Sequence, residues 1–102
     1  MEDKEIEKEV QEKGLTAPRV TQETLDSVIK NVEYHVFSGS QLTVCCLTLV
    51  NGFTVTGESA CASPENFDKE LGEKIAYGKA RDKIWVLEGY LLKQKLFENK
   101  DD

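Results

Sequence analysis

The chain has 102 residues, of which 39% are hydrophobic and 31% are charged. This length allows one domain and excludes a two-domain enzyme. The apolar content is too high for a wholly disordered chain, and no run approaches the roughly 18 apolar residues that a membrane-spanning helix needs. We therefore expect a small, soluble, intracellular protein.

The net charge of −6 is concentrated at the two ends of the chain. Residues 1–13 carry six acids against three bases and residues 98–102 carry three acids against one base, so residues 14–97 are nearly neutral. We interpret residues 1–18 as an acidic, partly disordered or frayed segment, and residues 98–102 as an acidic tail. They would flank a single domain over residues 19–97. An alternative is that the acidic ends mimic nucleic acid or prevent self-association.

Three cysteines, Cys45, Cys46 and Cys61, lack the spacing of a metal site, and the single histidine, His35, does not complete one. An odd number of cysteines without a signal peptide indicates reduced thiols in a reducing compartment. We expect no metal and no cofactor. Each cysteine is interpreted as a small hydrophobic residue, with a nucleophile or redox sensor as the alternative.

The first predicted element is an amphipathic helix over residues 22–36. Thr21 stands at the N-cap position, and Glu23 and Asp26 are placed to meet the positive start of the helix. The apolar residues that follow at helical spacing are Leu25, Val28, Ile29, Val32 and Val36. Residues 38–40, Ser-Gly-Ser, are expected to end the helix.

The next predicted element is a β-hairpin. Residues 41–50 and 53–60 are rich in Thr, Val, Leu, Cys and Phe, and the Asn-Gly dipeptide between them is typical of a type I′ turn. A two-residue loop would place Val50 opposite Phe53. In that register both faces of the hairpin carry apolar residues, so we expect another element or a second copy of the chain to cover the second face.

The last predicted element is a long helix that begins at Ser63, Pro64 and Glu65 and ends near Phe97. One apolar stripe on its helical wheel consists of Ala76, Ala80, Ile84, Leu87 and Leu91, and a second group on another side consists of Phe67, Leu71 and Ile75. Either the helix bends within residues 72–78, or more than one neighbour packs against it.

A row of small residues, Gly72, Ala76 and Ala80, lies along this helix. Small side chains at a spacing of four would allow another backbone to approach the helix closely.

A polar and aromatic stripe lies beside the apolar one. Tyr77, Arg81, Trp85 and Glu88 follow one another at spacings of four, four and three, so they share one helix face. Aromatic rings beside an arginine fork and a carboxylate are what a nucleotide-binding site uses, and the same residue types dominate protein interfaces. The structural alternative places both aromatic residues in the core and pairs the arginine with the glutamate.

Glu58 and Ser59, followed by Cys61, bring a carboxylate, a hydroxyl and a thiol together in the sequence. Serine catalysis needs a nearby base, and nothing in the sequence places His35 there. In the predicted hairpin Glu58 and Ser59 also face opposite ways. We therefore predict no catalytic residue and no enzyme, and we keep Glu58 and Ser59 as candidate ligand- or partner-binding residues. Glu58 would face solvent or pair with a cation of the long helix.

Two stretches of the sequence are long enough to be specific: the run from Leu47 to Cys61, which contains NGFTVTGESA, and the W-x-L-E-G-Y-L-L pattern from Trp85 to Leu92. With Arg19-Val20-Thr21, Thr43-Val44-Cys45 and Pro64-Glu65-Asn66-Phe67, the sequence resembles the small tailed-bacteriophage protein family typified by phage N4 gene 49 and phage Sf6 gene 66. The resemblance covers about residues 19–96. It implies an accessory phage or prophage protein in the host cytoplasm, with no settled activity, cofactor or catalytic residue.

The sequence thus predicts an α+β fold of helix, β-hairpin and long, straight or kinked helix, assembled as a homo-oligomer. By analogy with other small phage proteins, we expect it to bind and thereby modulate or inhibit a host process, in the sharpest version by sequestering a nucleotide signal of host defence. The alternatives are an inhibitor that docks directly on a host enzyme and a nucleic-acid-associated phage protein. The near-neutral core argues against nucleic acid, and no membrane partner is expected.

Overall fold

The computed structural model describes residues 3–14 and 17–99; the predicted acidic ends fall partly outside these ranges. The elements in chain order are α1 (Asp3–Glu12), α2 (Gln22–Val28), β1 (Ile29–Val36), β2 (Thr43–Leu49), β3 (Thr54–Ser59), one 3₁₀ turn (Pro64–Asn66) and α3 (Lys69–Glu98). The three strands form one antiparallel sheet in the order β1-β2-β3, and α3 packs across β2 and β3. The fold is α+β, as the sequence predicted.

The start of the first predicted helix is confirmed. Thr21 is the N-cap of α2: its hydroxyl accepts a hydrogen bond from the Thr24 amide at 3.3 Å, and the Thr24 hydroxyl accepts one from the Thr21 amide at 3.2 Å. These two bonds form a capping box that satisfies amides at the helix start. Leu25 of this short helix is fully buried.

The prediction of one helix over residues 22–36 is wrong beyond Val28, where the chain continues as strand β1. The apolar residues of this segment also fit a period of two, with Val32, Tyr34 and Val36 on one face of the strand. β-branched and aromatic residues favour a strand when a sheet edge is available to pair with. The edge of β2 supplies those hydrogen bonds, so tertiary pairing overrides the helical spacing.

The hairpin between β2 and β3 is confirmed, but its predicted loop is one residue too short. The Leu49 amide donates to the Phe53 carbonyl at 2.8 Å, and the Gly52 amide donates to the Leu49 carbonyl at 2.9 Å. Gly52 has φ +91°, whereas Asn51 does not have the positive φ that a type I′ turn requires. The Asn51 side chain instead accepts from the Phe53 amide at 3.0 Å. The loop therefore has three residues, Val50, Asn51 and Gly52.

This longer loop shifts the register of β3 by one residue, so the two faces of the sheet differ from the prediction. The residues facing α3 on the two strands are Thr43, Cys45, Leu47, Leu49, Val55 and Gly57, and all are buried. The opposite face of β3 carries Thr54, Thr56 and Glu58, all exposed. This face is largely polar, so it does not require the second covering layer that the predicted register implied.

The long helix begins five residues later than predicted. Ser63 and Pro64 introduce the 3₁₀ turn, and Asp68 caps α3 by accepting from the Leu71 amide at 3.1 Å. From Lys69 to Glu98 the helix is continuous over 30 residues, about 45 Å at 1.5 Å per residue. The helix therefore continues without interruption through residues 72–78, and the sheet and α2 both pack against it.

The backbone of α3 lies directly against the sheet at Gly57. A Cβ atom built on Gly57 would lie 2.3 Å from the Ala76 carbonyl oxygen and 2.4 Å from the Ala80 amide nitrogen. These are backbone atoms, which cannot move aside without shifting the helix. The small-residue row on α3 thus allows the close approach that the sequence predicted, and the approaching backbone is that of β3.

The chain is elongated. Its radius of gyration is 17.0 Å, against about 13 Å for a compact domain of this length, and its extents are 58 × 31 × 18 Å. The last fully buried residue of α3 is Ile84, so the following turns extend beyond the core. In the part of the chain that is described, no helix is long and apolar enough to span a membrane.

Gly57→Ala is expected to destabilise the protein by about 3 kcal/mol, because its methyl group overlaps the α3 backbone. The matched control is Gly78→Ala in α3, where a Cβ would meet nothing within 4 Å. Higher helix propensity should make that variant about 1 kcal/mol more stable. Urea unfolding measures both, and equal stability of Gly57→Ala and the natural chain would contradict the close contact.

Candidate functional site

The stripe of Tyr77, Arg81, Trp85 and Glu88 lies on the side of α3 that faces β1, α2 and the segment before α2. Tyr77 and Trp85 are partly buried and pack against the core. Burial raises the pKa of the Tyr34 hydroxyl on β1. The nearby Cys45, Glu73 and Tyr77 side chains raise this pKa further by electrostatic repulsion. Tyr77, the first residue of the stripe, thus lies near Tyr34 of β1, the strand at one edge of the sheet.

Arg81 holds α2 against α3. Its Nη2 donates to the Asp26 Oδ1 at 3.1 Å and to the Gln22 carbonyl oxygen at 3.3 Å, and its side chain is 15% exposed. The guanidinium of α3 thus binds a carboxylate and a backbone carbonyl of α2, and these hydrogen bonds stabilise the packing of the two helices. Arg81 is therefore engaged within the chain, and its contact with a ligand stays a prediction.

Trp85 lines an open groove of about 350 Å³ between α1, the segment before α2, and α3. The lining residues are Ile6, Glu7, Val10, Arg19, Val20, Thr21, Gln22 and Trp85. The groove therefore combines an indole ring, aliphatic side chains and an arginine. Arg19, which the sequence hypothesis did not include, lines this groove together with Trp85.

Glu7 and Arg19 connect α1 to the rest of the chain. The Arg19 Nη2 donates to the Glu7 Oε1, and the Gln11 side chain donates to the same oxygen at 3.3 Å. The hydrogen bond from Arg19 is the main reason that the pKa of the Glu7 carboxyl lies below its ordinary value of 4.5. One charge pair thus holds α1 beside the Trp85 groove.

Glu88, the last residue of the stripe, lies in a neighbouring depression with Arg19, Thr24, Leu92 and Lys95. Arg19 therefore lines both the Trp85 groove and the surface around Glu88. Neither Arg19 nor Glu7 could be assigned to a site from the sequence. Arg19 lies in a segment without periodicity, and Glu7 is one of many acids in a repetitive helix.

Glu58 and Ser59 face opposite sides of the sheet, as predicted. Glu58 is exposed on the polar face, opposite Val44 on β2. Ser59 is half-buried and lines a small depression with Cys61 near the start of α3. Ser59 pairs with Thr43, which lies against Gly72, whereas Trp85 lies more than three helix turns further along α3. The structure does not bring Glu58 and Ser59 to the Trp85 groove.

The cysteines and the histidine lie apart from this groove. Cys45 is buried, and burial raises the pKa of its thiol, which keeps it protonated and a poor nucleophile. The His35 ring contacts Phe37 edge-on, with 4.6 Å between ring centroids. Within residues 3–14 and 17–99, no group of three or more His, Cys, Asp and Glu side chains could hold a metal ion.

The groove can therefore offer stacking on the indole, apolar contact with Ile6 and Val10, and a positive charge at Arg19. These contacts suit a flat ring that carries an anionic group. The groove thus supplies apolar surface and charge.

Glu7→Gln is expected to loosen α1 and expose Trp85 to water at neutral pH, giving a red shift of its fluorescence. A carboxyl whose pKa is lowered by a contact stabilises that contact above its ordinary pKa, and the contribution is lost as the pH falls through the lowered value. The natural chain should therefore show the same red shift only on acidification below pH 4.5.

Glu9→Gln is the control, because it removes an equal charge from α1 at an exposed pair with Lys13, whose Nζ lies 3.0 Å from the Glu9 Oε1. If both variants gave the emission of the natural chain at neutral pH, the pair between Glu7 and Arg19 would not be what holds α1.

Comparison with known protein families gives a match. The family model described as "Phage protein (N4 Gp49/phage Sf6 gene 66) family" matches residues 20–96. No curated protein and no solved structure matches the chain. The matched residues include α2, the whole sheet and nearly all of α3, and they leave out α1. The chain belongs to the phage protein family of N4 Gp49 and Sf6 gene 66.

Proposed function

We propose that this phage protein acts by binding, in the host cytoplasm, and that the Trp85 groove is its ligand site. The observation that carries the proposal is the open groove in which Trp85 and Arg19 lie together, with aliphatic side chains from α1 beside them. The ligand class that fits these contacts best is a nucleotide, whose base stacks on an indole and whose phosphate pairs with a guanidinium.

Arg19 is neutralised by Glu7 in the free protein. A phosphate carries more charge than the Glu7 carboxylate and is therefore the stronger partner for the Arg19 guanidinium. The function that follows is sequestration of a small nucleotide signal, by which the phage modulates or inhibits a host defence process. This function needs affinity and no turnover, and the apolar surface and charge of the groove support it.

Trp85 makes the test direct, because it is the only tryptophan in the chain. The purified protein is screened against linear and cyclic nucleotides by thermal shift and by intrinsic fluorescence. A binding nucleotide should quench Trp85 emission and raise the melting temperature by several degrees; at 100 times its Kd it stabilises the protein by about 2.7 kcal/mol.

Trp85→Leu and Arg19→Gln should each remove the thermal shift. Lys83→Gln is the matched control, because Lys83 is exposed and lies about 200° around α3 from Trp85, at 100° per residue. It should bind as the natural chain does. A folded protein that shows neither quenching nor stabilisation with any nucleotide would overturn the nucleotide proposal.

A further inference from the structure

The second half of α3 carries large apolar side chains that nothing in the described chain covers. Val86 and Tyr90 are each 74% exposed and Phe97 is 65% exposed, and they lie beyond Ile84, the last buried residue of α3. Leu87 and Leu91 are also exposed. This apolar surface lies on α3 away from the Trp85 groove, whose tryptophan points to the opposite side of the helix.

These residues form a regular seam. Leu87, Tyr90, Gln94 and Phe97 follow one another at spacings of three, four and three, with Val86 and Leu91 on the two flanks. Alternating spacings of three and four are the pattern by which two helices pack along each other. We call these six residues the α3 seam.

We propose that the α3 seam pairs with the same seam of a second copy, with the two helices antiparallel and overlapping over residues 86–98. In this register Leu87 lies opposite the partner's Phe97, and Tyr90 lies opposite the partner's Gln94. Each contact occurs twice, once on either side of a twofold axis near residue 92, as an isologous interface requires.

The antiparallel direction follows from where the sheet lies. On the helical wheel the line of the seam continues backwards to Gly72 and Ala76, which face the chain's own sheet at Thr43 and Gly57. A parallel partner would have to occupy the space of that sheet. Antiparallel pairing of the protruding ends keeps the two sheets at opposite ends of the dimer.

The surface area of the seam is large enough to form the interface of a stable dimer. Aromatic side chains present about 150–250 Å² each. With the exposed fractions of its side chains, the seam amounts to on the order of 600 Å² per copy. Burial of both copies is then about 1,200 Å², the lower limit for a specific interface.

The polar residues of the surface are also compatible with this pairing. The four central positions of the seam carry no charge, and Lys93 on the flank can extend its ammonium to water. Gln94 donates through Nε2 to the Glu98 Oε1 at 3.1 Å. In the dimer the Gln94 Oε1 accepts from the partner's Tyr90 hydroxyl, and one polar pair within an apolar seam fixes the register.

The test is the mass of the full chain by sedimentation equilibrium between 1 and 100 µM. The natural chain should be a dimer in the upper part of this range, and Tyr90→Glu and Phe97→Glu should each be monomeric with an unchanged circular dichroism spectrum. Phe53→Glu is the control: Phe53 is 55% exposed at the hairpin loop, so it adds the same charge to an apolar surface outside the seam. It should remain a dimer.

The direction of pairing is tested by cysteine cross-linking with Cys46 and Cys61 replaced by serine. A mixture of the Leu87→Cys and Phe97→Cys chains should form a disulfide-linked dimer on mild oxidation, and neither chain alone should. A natural chain that is monomeric at 100 µM, a dimer that Phe53→Glu breaks and Phe97→Glu does not, or cross-linking of Leu87→Cys alone would each overturn the proposal.

Discussion

The contact between Gly57 and the backbone of α3 is the constraint on which the rest of the structure depends. Because Gly57 has no Cβ, the helix lies directly on β3 at Ala76 and Ala80, which are themselves small. This contact requires Gly57 to face the helix. Because successive side chains of a strand point to opposite faces of the sheet, it also determines which face each other residue of β3 occupies. Val55 then joins the core, and the threonines of β3 face away. The three-residue loop supplies the matching register with β2.

The position of α3 on the sheet also determines which surfaces remain for function. One side of the helix receives α2 through Arg81, and the Trp85 groove forms where α2, the segment before it and α1 meet the helix. The strands are shorter than α3, so its second half extends past Ile84 with apolar residues exposed. Our two proposals concern these two surfaces, ligand binding at the groove and self-association along the protruding helix, and each is testable without the other.

Much of the fold could be predicted from local signals. Thr21 was identified as a cap because its hydroxyl satisfies nearby amides, and the small-residue row of α3 indicated a close backbone contact. Strand β1 could not be found by periodicity, because its apolar residues fit both a helix and a strand until β2 offers an edge. The groove partner Arg19 had no sequence signal, since its position beside Trp85 arises only when the segment before α2 crosses α3.

The most direct test of this account is a nuclear Overhauser measurement on the labelled protein. Leu49 and Phe53 are hydrogen-bonded across the hairpin, so Cys46 and Thr56 form a non-hydrogen-bonded pair whose Cα atoms are about 4.5 Å apart. The account predicts a strong Hα–Hα cross-peak between Cys46 and Thr56, with contacts from the Gly57 Hα protons to Ala76 and Ala80. A structure with Cys46 opposite Gly57, and no contact from Gly57 to α3, would contradict it.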